Sequence, residues 1–339
     1  MVSRNVMPDL PSGTTRSSML SDKVAIAIDL GGTNLRVALV NEAGKLSHWK
    51  RHNPPGRKQS IIDMMVQLVA EAARLAESEH LAIVGVGIST GGRVDFKSGT
   101  IVDSTTLIPD WKDVHIKDIV EESINIPTVV DNDGNCSAVA ERVFGKGKSA
   151  QNFISIALGT GIGGGIYVDG RILRGENNYA AEIGHVTVNA EGPRCSCGGR
   201  GCVEMYASGS GLVRWAKEEY PMLVREIVGS EVSAKAIAGL ARSGNIQALE
   251  LLARSGRMLG AATAGWVNIF NPSLIVLSGS LIGLGDPYFK EFRETLVSRA
   301  IRPTADNLKI EFSDLRNEAG IIGAAALVFE FLRENHTRV

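Results

Sequence analysis

Three of the 4 cysteines in this 339-residue chain, Cys195, Cys197 and Cys202, stand close together. The C-x-C-x4-C spacing, with glycines between the cysteines, allows three thiolates to converge on one metal ion. Three sulfur ligands leave one tetrahedral position open, and His185 is the nearest upstream histidine for it. A Cys3His set predicts a closed, structural Zn²⁺ site rather than a catalytic one. A disulfide-forming redox cluster is the alternative.

Two glycine-rich turns, at 31–34 and 159–161, each lie between two short apolar runs. A backbone can wrap a phosphate where side chains are absent and N–H groups converge, and each turn adds a threonine hydroxyl. Asp29, just before the first turn, repels phosphate but suits Mg²⁺ bound through water. The alternative is that the glycines only make tight hairpins. The predicted phosphate-binding residues are Gly31, Gly32, Thr33, Asn34, Gly159, Thr160 and Gly161.

A carboxylate, Asp133, follows a predicted buried strand in the run Asp131-Asn132-Asp133. Catalytic groups in open α/β sheets lie where a strand leads into a helix. A helix N-terminus favours the ionised carboxylate, which can accept a proton from an attacking hydroxyl. The alternative is that these side chains only cap the helix.

Two glutamates flank the cysteine cluster in the sequence. Glu182 precedes His185, and Glu204 follows Cys202. A metal that fixes both loops also fixes both carboxylates, and each carboxylate can accept two hydrogen bonds from sugar hydroxyls. The alternative is that both are solvated surface residues.

These groups must be positioned by alternating strands and helices. Apolar runs predict strands at 24–28, 35–40, 83–88, 128–130, 153–158, 162–168 and 274–277. Helical spacing of apolar residues covers 59–78, 136–144, 245–270 and 318–334. The alternation indicates an α/β fold. Residues 26–40 align without gaps on 154–168, which predicts two related lobes facing a cleft.

Charge and hydropathy exclude several classes of protein. There are 36 Lys+Arg against 37 Asp+Glu, a net charge of −1, so no basic field would hold nucleic acid or a membrane surface. No apolar run is long enough to span a bilayer. Residues 1–22 lack the apolar centre of a secretory signal and are interpreted as a disordered tail, with a transit peptide as the alternative. A cytoplasmic protein is expected.

Together these motifs resemble the ROK family of sugar kinases and repressors, in the actin-like ATPase superfamily with its ribonuclease H-like fold. The resemblance covers about residues 23–331 and rests on Asp29-Leu30-Gly31-Gly32-Thr33-Asn34, Asp131-Asn132-Asp133, the glycines of 158–165, Glu182-Ile183-Gly184-His185 and the cysteine run ending at Glu204. It implies that Asp133 is the general base, that ATP·Mg²⁺ binds between the lobes with Gly279 near the adenine, and that a structural Zn²⁺ is present. The zinc ligands it implies are His185, Cys195, Cys197 and Cys202.

Within the family, residues 85–94 are most similar to the N-acetylmannosamine kinase domain of the bifunctional UDP-N-acetylglucosamine 2-epimerase/N-acetylmannosamine kinases. Family glucokinases usually have Ala-Pro-Gly where this chain has Thr90-Gly91-Gly92, and Asn-Leu where it has Thr106-Leu107. The resemblance implies phosphorylation of the 6-hydroxyl of an amino sugar, most closely N-acetylmannosamine. The implied sugar contacts are Gly92, Arg93, Thr105, Asn132, Asp133, Glu182, His185 and Glu204.

The expected organisation is an N-terminal lobe over 23–132, joined by the closing helix 318–339, and a C-terminal lobe over 133–317 with the zinc-binding loop. The expected partners are a sugar and ATP, and the resemblance implies a homodimer. A glucokinase or other hexose kinase is one alternative. A sugar-sensing repressor is another; such repressors carry a winged helix-turn-helix ahead of the kinase-like part, for which the 22 residues before the first strand are too few.

Overall fold

Twelve β-strands were found in the computed structural model, which describes residues 22–32, 34–103, 110–229 and 231–336. The strands are β1 (Lys23–Leu30), β2 (Leu35–Asn41), β3 (Leu46–His52), β4 (Ala82–Thr90), β5 (Arg93–Asp95), β6 (Thr100–Asp103), β7 (Thr128–Asn132), β8 (Phe153–Leu158), β9 (Ile162–Val168), β10 (Arg171–Ile172), β11 (Leu274–Ser278) and β12 (Lys309–Phe312).

Helices alternate with the strands, which confirms the predicted α/β class. They are α1 (Lys58–Ser78), α2 (Ile116–Ile124), α3 (Asp133–Val143), α4 (Glu204–Ala207), α5 (Gly209–Glu219), α6 (Pro221–Glu226), α7 (Ala234–Arg242), α8 (Ile246–Phe270), α9 (Asp286–Arg299), α10 (Arg302–Ala305) and α11 (Ala319–His336). None of the described helices is long and apolar enough to cross a membrane.

The two large sheets repeat one topology. The first has the order β3-β2-β1-β4-β7 and the second has the order β10-β9-β8-β11-β12. In each, three antiparallel strands are followed by strands that run parallel to the central one. A hairpin opens each sheet, at β1–β2 and at β8–β9. The internal repeat predicted from the sequence is therefore present as a repeated sheet.

The gapless alignment of the two hairpins is wrong by one residue after the turn. Leu30 pairs with Leu35, whereas Leu158 pairs with Ile162, so the second turn is one residue shorter. A one-residue slip in a strand exchanges its two faces. The second strands of the two hairpins, β2 and β9, are therefore equivalent only when a gap is placed in the second turn of the alignment.

Helices α3 and α11 pack against each other between the two sheets. Alternate residues of β1 lie on opposite faces of the sheet. Ala25 and Ala27 face α11, whereas Ile26 and Ile28 face the core under α1 and α2. On the second sheet, α3 covers one face, and a larger core that includes α5, α8 and α9 covers the other. The glycine turns project from one edge of each sheet, and the candidate functional site lies at that edge.

Candidate functional site

Asp133 is the first residue of α3, directly after β7. The side chain of Asn132 caps the helix by accepting hydrogen bonds from the backbone N–H groups of Gly134, at 2.8 Å, and Asn135, at 3.4 Å. Asn132 therefore holds the backbone that aims Asp133 into the cleft. The helix begins three residues before the predicted start at 136, because the polar cap extends it beyond the apolar pattern.

The Asp133 carboxylate is open to water along the cleft, while protein atoms crowd its other sides. This crowding, which disfavours the charged form, together with the negative charges of Asp29 and Glu182, raises the pKa of Asp133 from 3.8 to about 7. The backbone N–H of Gly134, 2.9 Å from Oδ1, opposes the shift. A carboxylate with a pKa near neutrality is suited to take up and release a proton.

Asp29 lies at the end of β1 beside the first glycine turn. Its Oδ1 accepts a hydrogen bond from Ser89 Oγ at 2.9 Å, and its Oδ2 lies 3.4 Å from Arg36 Nη1. The same Arg36 atom donates to the carbonyl of Asn317, just before α11, at 2.5 Å. Burial raises the pKa of Asp29, while Arg36 and Ser89 lower it. A divalent cation beside Asp29 would offset this burial, so the residue fits a cation site.

The first glycine turn is closed by a hydrogen bond from the Gly31 N–H to the Asn34 carbonyl at 2.8 Å. Asn34 Oδ1 accepts a second hydrogen bond from Arg51 Nε at 2.6 Å, which ties the turn to β3. Gly32 lies between them, whereas Thr33 falls outside the described residues. The turn thus places backbone groups beside Asp29, at one end of the cleft.

The second glycine turn rests on the N-terminus of α5. The Gly159 N–H donates to the Gly161 carbonyl at 3.0 Å, and the Gly159 carbonyl accepts from the Gly209 N–H at 2.8 Å. Ser210 Oγ donates to the carbonyl of Thr160 at 2.7 Å. A helix N-terminus beside a glycine turn is a favourable place for an anion.

Gly279 follows β11 and lies against the end of β8. Its φ is 94°, and a Cβ at this position would lie 2.3 Å from the Leu158 carbonyl oxygen. Only glycine fits both the left-handed backbone and this close approach. The Gly279 backbone is therefore held next to the second glycine turn.

The sequence-predicted zinc ligands come together in the structure. One donor atom from each of His185, Cys195, Cys197 and Cys202 lies within 4.8 Å of the others. Nδ1 of His185 is 3.5 Å from Cys195 Sγ, and the Sγ atoms of Cys197 and Cys202 are 3.6 Å apart. Tetrahedral Zn–S bonds of about 2.3 Å require sulfur atoms about 3.8 Å apart. These four residues therefore fit a Cys3His metal site.

Glu182 and Glu204 lie beside this cluster. Glu182 Oε2 is 3.8 Å from His185 Nε2, the ring nitrogen that faces away from Cys195. Burial raises the pKa of Glu182, whereas His185 and Arg93 lower it and Glu204 raises it. Glu204 Oε2 accepts a hydrogen bond from the Ile162 N–H at 2.8 Å. The two carboxylates therefore share one region with Arg93 and the His185 ring.

The loop after β4 reaches the same region. Asn132 Nδ2 donates to the Gly92 carbonyl at 2.9 Å, which joins this loop to the residue before Asp133. Arg93 forms an exposed ion pair with Asp103 and also faces Glu182. Thr105 falls outside the described residues. Gly92, Arg93 and Asn132 thus border the space between Asp133 and Glu182.

Several residues of this region were missed by sequence reasoning. Ser89 and Arg36 hold Asp29, and Ser210 holds the second glycine turn. The Ser-Gly-Ser-Gly run at 208–211, a typical helix cap, was a signal for Ser210. Arg174, which forms a buried ion pair with Asp131, gave no signal because a single arginine in a loop has no pattern.

Comparison with known proteins yields one family. The profile of the ROK family matches residues 25–330. The chain is 34% identical over 320 residues to a glucokinase of Streptomyces coelicolor, covering 91% of this chain and 98% of that one. It is 29% identical over 310 residues to the xylose repressor of Caldicellulosiruptor bescii, covering 89% of this chain and 77% of that one.

A solved structure shows the same architecture. The ROK family glucokinase from Streptomyces griseus, in complex with glucose and AMPPNP, aligns with a TM-score of 0.77 at 34% identity, over 91% of this chain and 99% of that one. The expected actin-like α/β fold, with two lobes around a cleft, is confirmed by this likeness and by the repeated sheets. The chain belongs to the ROK family.

Proposed function

We propose that this protein is an ATP-dependent hexose kinase that phosphorylates the 6-hydroxyl of its sugar. The observation that carries the proposal is Asp133, a carboxylate at a helix N-terminus with a pKa raised to about 7, in a cleft between two glycine turns. The glucokinase relatives support the same activity.

In this proposal Asp133 accepts the proton of the 6-hydroxyl as the sugar oxygen attacks the γ-phosphorus. The new O–P bond forms as the bond from that phosphorus to the β–γ bridging oxygen breaks, and ADP leaves. Asn132 keeps the base oriented through the helix cap. The chain mainly positions the two substrates and neutralises charge, and closure of the cleft excludes water.

The nucleotide is proposed to bind along the two glycine turns. Backbone N–H groups of the two turns other than those of Gly31 and Gly159, which close the turns, would bind the β- and γ-phosphates, and the segment ending at Gly279 would lie near the adenine. Asp29, beside the first turn, is the proposed Mg²⁺ ligand through water. A bound Mg²⁺ supplies positive charge that offsets the phosphate oxygens.

A structural Zn²⁺ is proposed for His185, Cys195, Cys197 and Cys202. The donor set has no open position, which fits a structural ion. With Nδ1 engaged by the cluster, the Nε2 side of His185 faces Glu182 and the sugar region. The chain thereby holds Glu182, His185 and Glu204 in place to bind sugar hydroxyls.

Glucose is the first proposed substrate, because the relatives with 34% identity are glucokinases. N-acetylmannosamine, which the sequence resemblance favoured, is the second candidate, and one observation supports it. Among the described residues other than its chain neighbours, no heavy atom lies within 4 Å of a Cβ built at Gly91, so the described part of this loop, which departs from the glucokinase pattern, leaves open space. An N-acetyl group on the second carbon needs such space.

The deciding experiment is ATP-coupled turnover on glucose, mannose, N-acetylglucosamine and N-acetylmannosamine, with Asp133→Asn as the test of the base. Loss of a general base costs about 10²-fold or more in kcat. Near-normal turnover by D133N would refute the role of Asp133 as general base. The highest kcat/KM on N-acetylmannosamine would select the second candidate. Sugar binding without phosphorylation would indicate a sugar sensor of the kind represented by the repressor relatives. Sedimentation of the same sample tests the proposed homodimer.

A further inference from the structure

Arg174 joins three parts of the molecule through one side chain. It follows β10, on the segment 173–182 that leads to Glu182. Its Nη1 donates to Asp131 Oδ2 at the end of β7, in an ion pair whose side chains are 16% and 1% exposed. Its Cζ lies 3.5 Å from the centroid of the Phe96 ring, between β5 and β6. One guanidinium therefore contacts both the strand before the base and the loop beside the sugar region.

Both carboxylate oxygens of Asp131 have partners. Its other oxygen, Oδ1, accepts hydrogen bonds from Asn135 Nδ2 at 2.9 Å and from the Asn132 N–H at 2.8 Å. Asp131 thus braces the first turn of α3, where Asp133 begins. Arg174 supplies the positive charge that balances this buried carboxylate, since a buried charge is stable only when paired.

A second bond ties the same segment to the same hairpin. Asn178 Nδ2 donates to Asp95 Oδ1 at 2.9 Å, and that oxygen also accepts from the Lys97 N–H at 3.1 Å. The segment 173–182 is therefore attached to the β5–β6 hairpin at two points, Arg174 and Asn178. The hairpin begins at Arg93, and the segment ends at Glu182.

We propose that Arg174 is a positioning residue that sets the separation of Glu182 from Asp133 and thereby the affinity for the sugar. The proposal rests on the proposed function, because both carboxylates are taken to contact one sugar. A misplacement of about 1 Å at a reacting centre costs about 10²-fold. The first glycine turn is tied to Arg51 and the second is held by Gly209 and Ser210, so we expect the nucleotide affinity to be independent of Arg174.

The test compares Arg174→Gln and Arg174→Lys with Arg171→Gln, an exposed arginine on β10. We expect R174Q to raise the sugar KM by about 10-fold or more, while the ATP KM changes by less than about twofold. R174K keeps the charge but not the planar fork over Phe96, so its sugar KM lies between those of R174Q and the parent. R171Q matches the parent.

The double variant D131N/R174Q removes the buried charge along with its partner. It separates charge balance from positioning: we expect it to recover the melting temperature lost in R174Q but not the sugar affinity. It also keeps the measurement possible if R174Q alone does not fold. Sugar binding is measured for every variant by calorimetry, independently of turnover.

If R174Q or the double variant has the same sugar KM and the same sugar affinity as the parent, the role of Arg174 is overturned while the kinase function stays intact. A rise in ATP KM as large as that in sugar KM would also overturn it, since this indicates general loosening. A parent protein that binds sugar without phosphorylating it refutes the kinase function alone, and the binding data then decide on Arg174. A parent protein that binds none of the four sugars refutes both.

Discussion

Glu204 accepts a hydrogen bond from the backbone N–H of Ile162, with 2.8 Å between Oε2 and N. Ile162 is the first residue of β9, directly after the second glycine turn, and Glu204 begins α4, two residues past Cys202. A Cβ at Gly161 would lie 2.4 Å from the same oxygen. One carboxylate therefore links the metal cluster to the turn proposed to bind phosphate.

Glu204→Ala is expected to weaken binding of both substrates, because it releases the second glycine turn as well as a proposed sugar contact. Loss of one such hydrogen bond, about 1.5 kcal/mol, corresponds to about a 10-fold rise in ATP KM. Glu204→Gln keeps an oxygen that can accept from Ile162, so its ATP KM stays near that of the parent. Steady-state kinetics with each substrate varied checks this, with Glu250→Gln on the exposed face of α8 as the control. An unchanged ATP KM in E204A would contradict the link.

The strands that carry the site could be predicted from the sequence because their apolar runs are short, buried and followed by glycine or polar turns. The strand ending at Asn132 and the helix after it were expected, and so was the cluster of His185 with the three cysteines. These predictions depend on local patterns and on ligand chemistry, which the sequence shows directly.

Contacts between distant segments could not be predicted. Ser89 bonds Asp29 across 60 residues, and Arg174 bonds Asp131 across 43. Neither pair forms a periodic pattern, and each exists only because neighbouring strands and loops meet at one edge. The exposed strand β3 was also missed, since its mostly polar sequence lacks the alternation of a half-buried strand.

The stability of the protein is expected to fall as pH rises through about 7, because of Asp133. Its pKa is raised from 3.8 in an ordinary aspartate to about 7 in the folded chain. Between these values the folded state binds the proton more tightly than the unfolded state, so the stabilisation present at acidic pH is lost as pH rises. D133N removes this titration. Its melting temperature, measured without nucleotide, therefore exceeds that of the parent by a margin that grows from pH 5 to pH 8. A margin between D133N and the parent that is constant with pH would refute the shift.

Removal of the proposed Zn²⁺ is expected to lower both stability and sugar affinity. Freshly purified protein holds about one Zn²⁺ per chain if the four ligands act together. A chelator that strips the ion leaves three thiols close together and frees the loop that carries Glu204, so the melting temperature falls and the sugar KM rises. Added Zn²⁺ restores both. Cys195→Ser reproduces the loss, whereas Cys136→Ala, at a buried thiol inside α3, retains the metal. Full metal content in C195S would contradict the ligand set.

Gly279→Ala is expected to destabilise the protein strongly. The left-handed φ of 94° is unfavourable for alanine, and the alanine Cβ would lie 2.3 Å from the Leu158 carbonyl oxygen, so both effects are destabilising. Such strain costs about 1–3 kcal/mol before the steric clash is added. Chemical denaturation measures the loss in free energy of unfolding. Gly283→Ala is the matched control, because no heavy atom of the described residues, apart from its own helix and chain neighbours, lies within 4 Å of its Cβ position. Equal stability of the two variants would show that the close approach is not present in solution.

Ala181, the residue before Glu182, has a left-handed backbone with φ 68°, and its carbonyl accepts a hydrogen bond from the Ile183 N–H at 2.7 Å. A left-handed conformation costs an L-residue about 1–2 kcal/mol, whereas glycine adopts it freely. Ala181→Gly relieves this strain, which offsets the greater entropy of the unfolded chain. Ala180→Gly has the same unfolded-state cost without any strain to relieve, so it is destabilising.

The two variants are therefore expected to differ by about 1–2 kcal/mol in free energy of unfolding, with A181G the more stable. Ala181 packs at the edge of the large core, so A181G also loses some apolar contact, and the measured difference is a lower bound on the backbone contribution. Urea denaturation of both variants and the parent, at equal protein concentration, measures it. If A181G loses as much stability as A180G, the left-handed turn that aims Glu182 is not strained, and the loop reaches the sugar region without this cost.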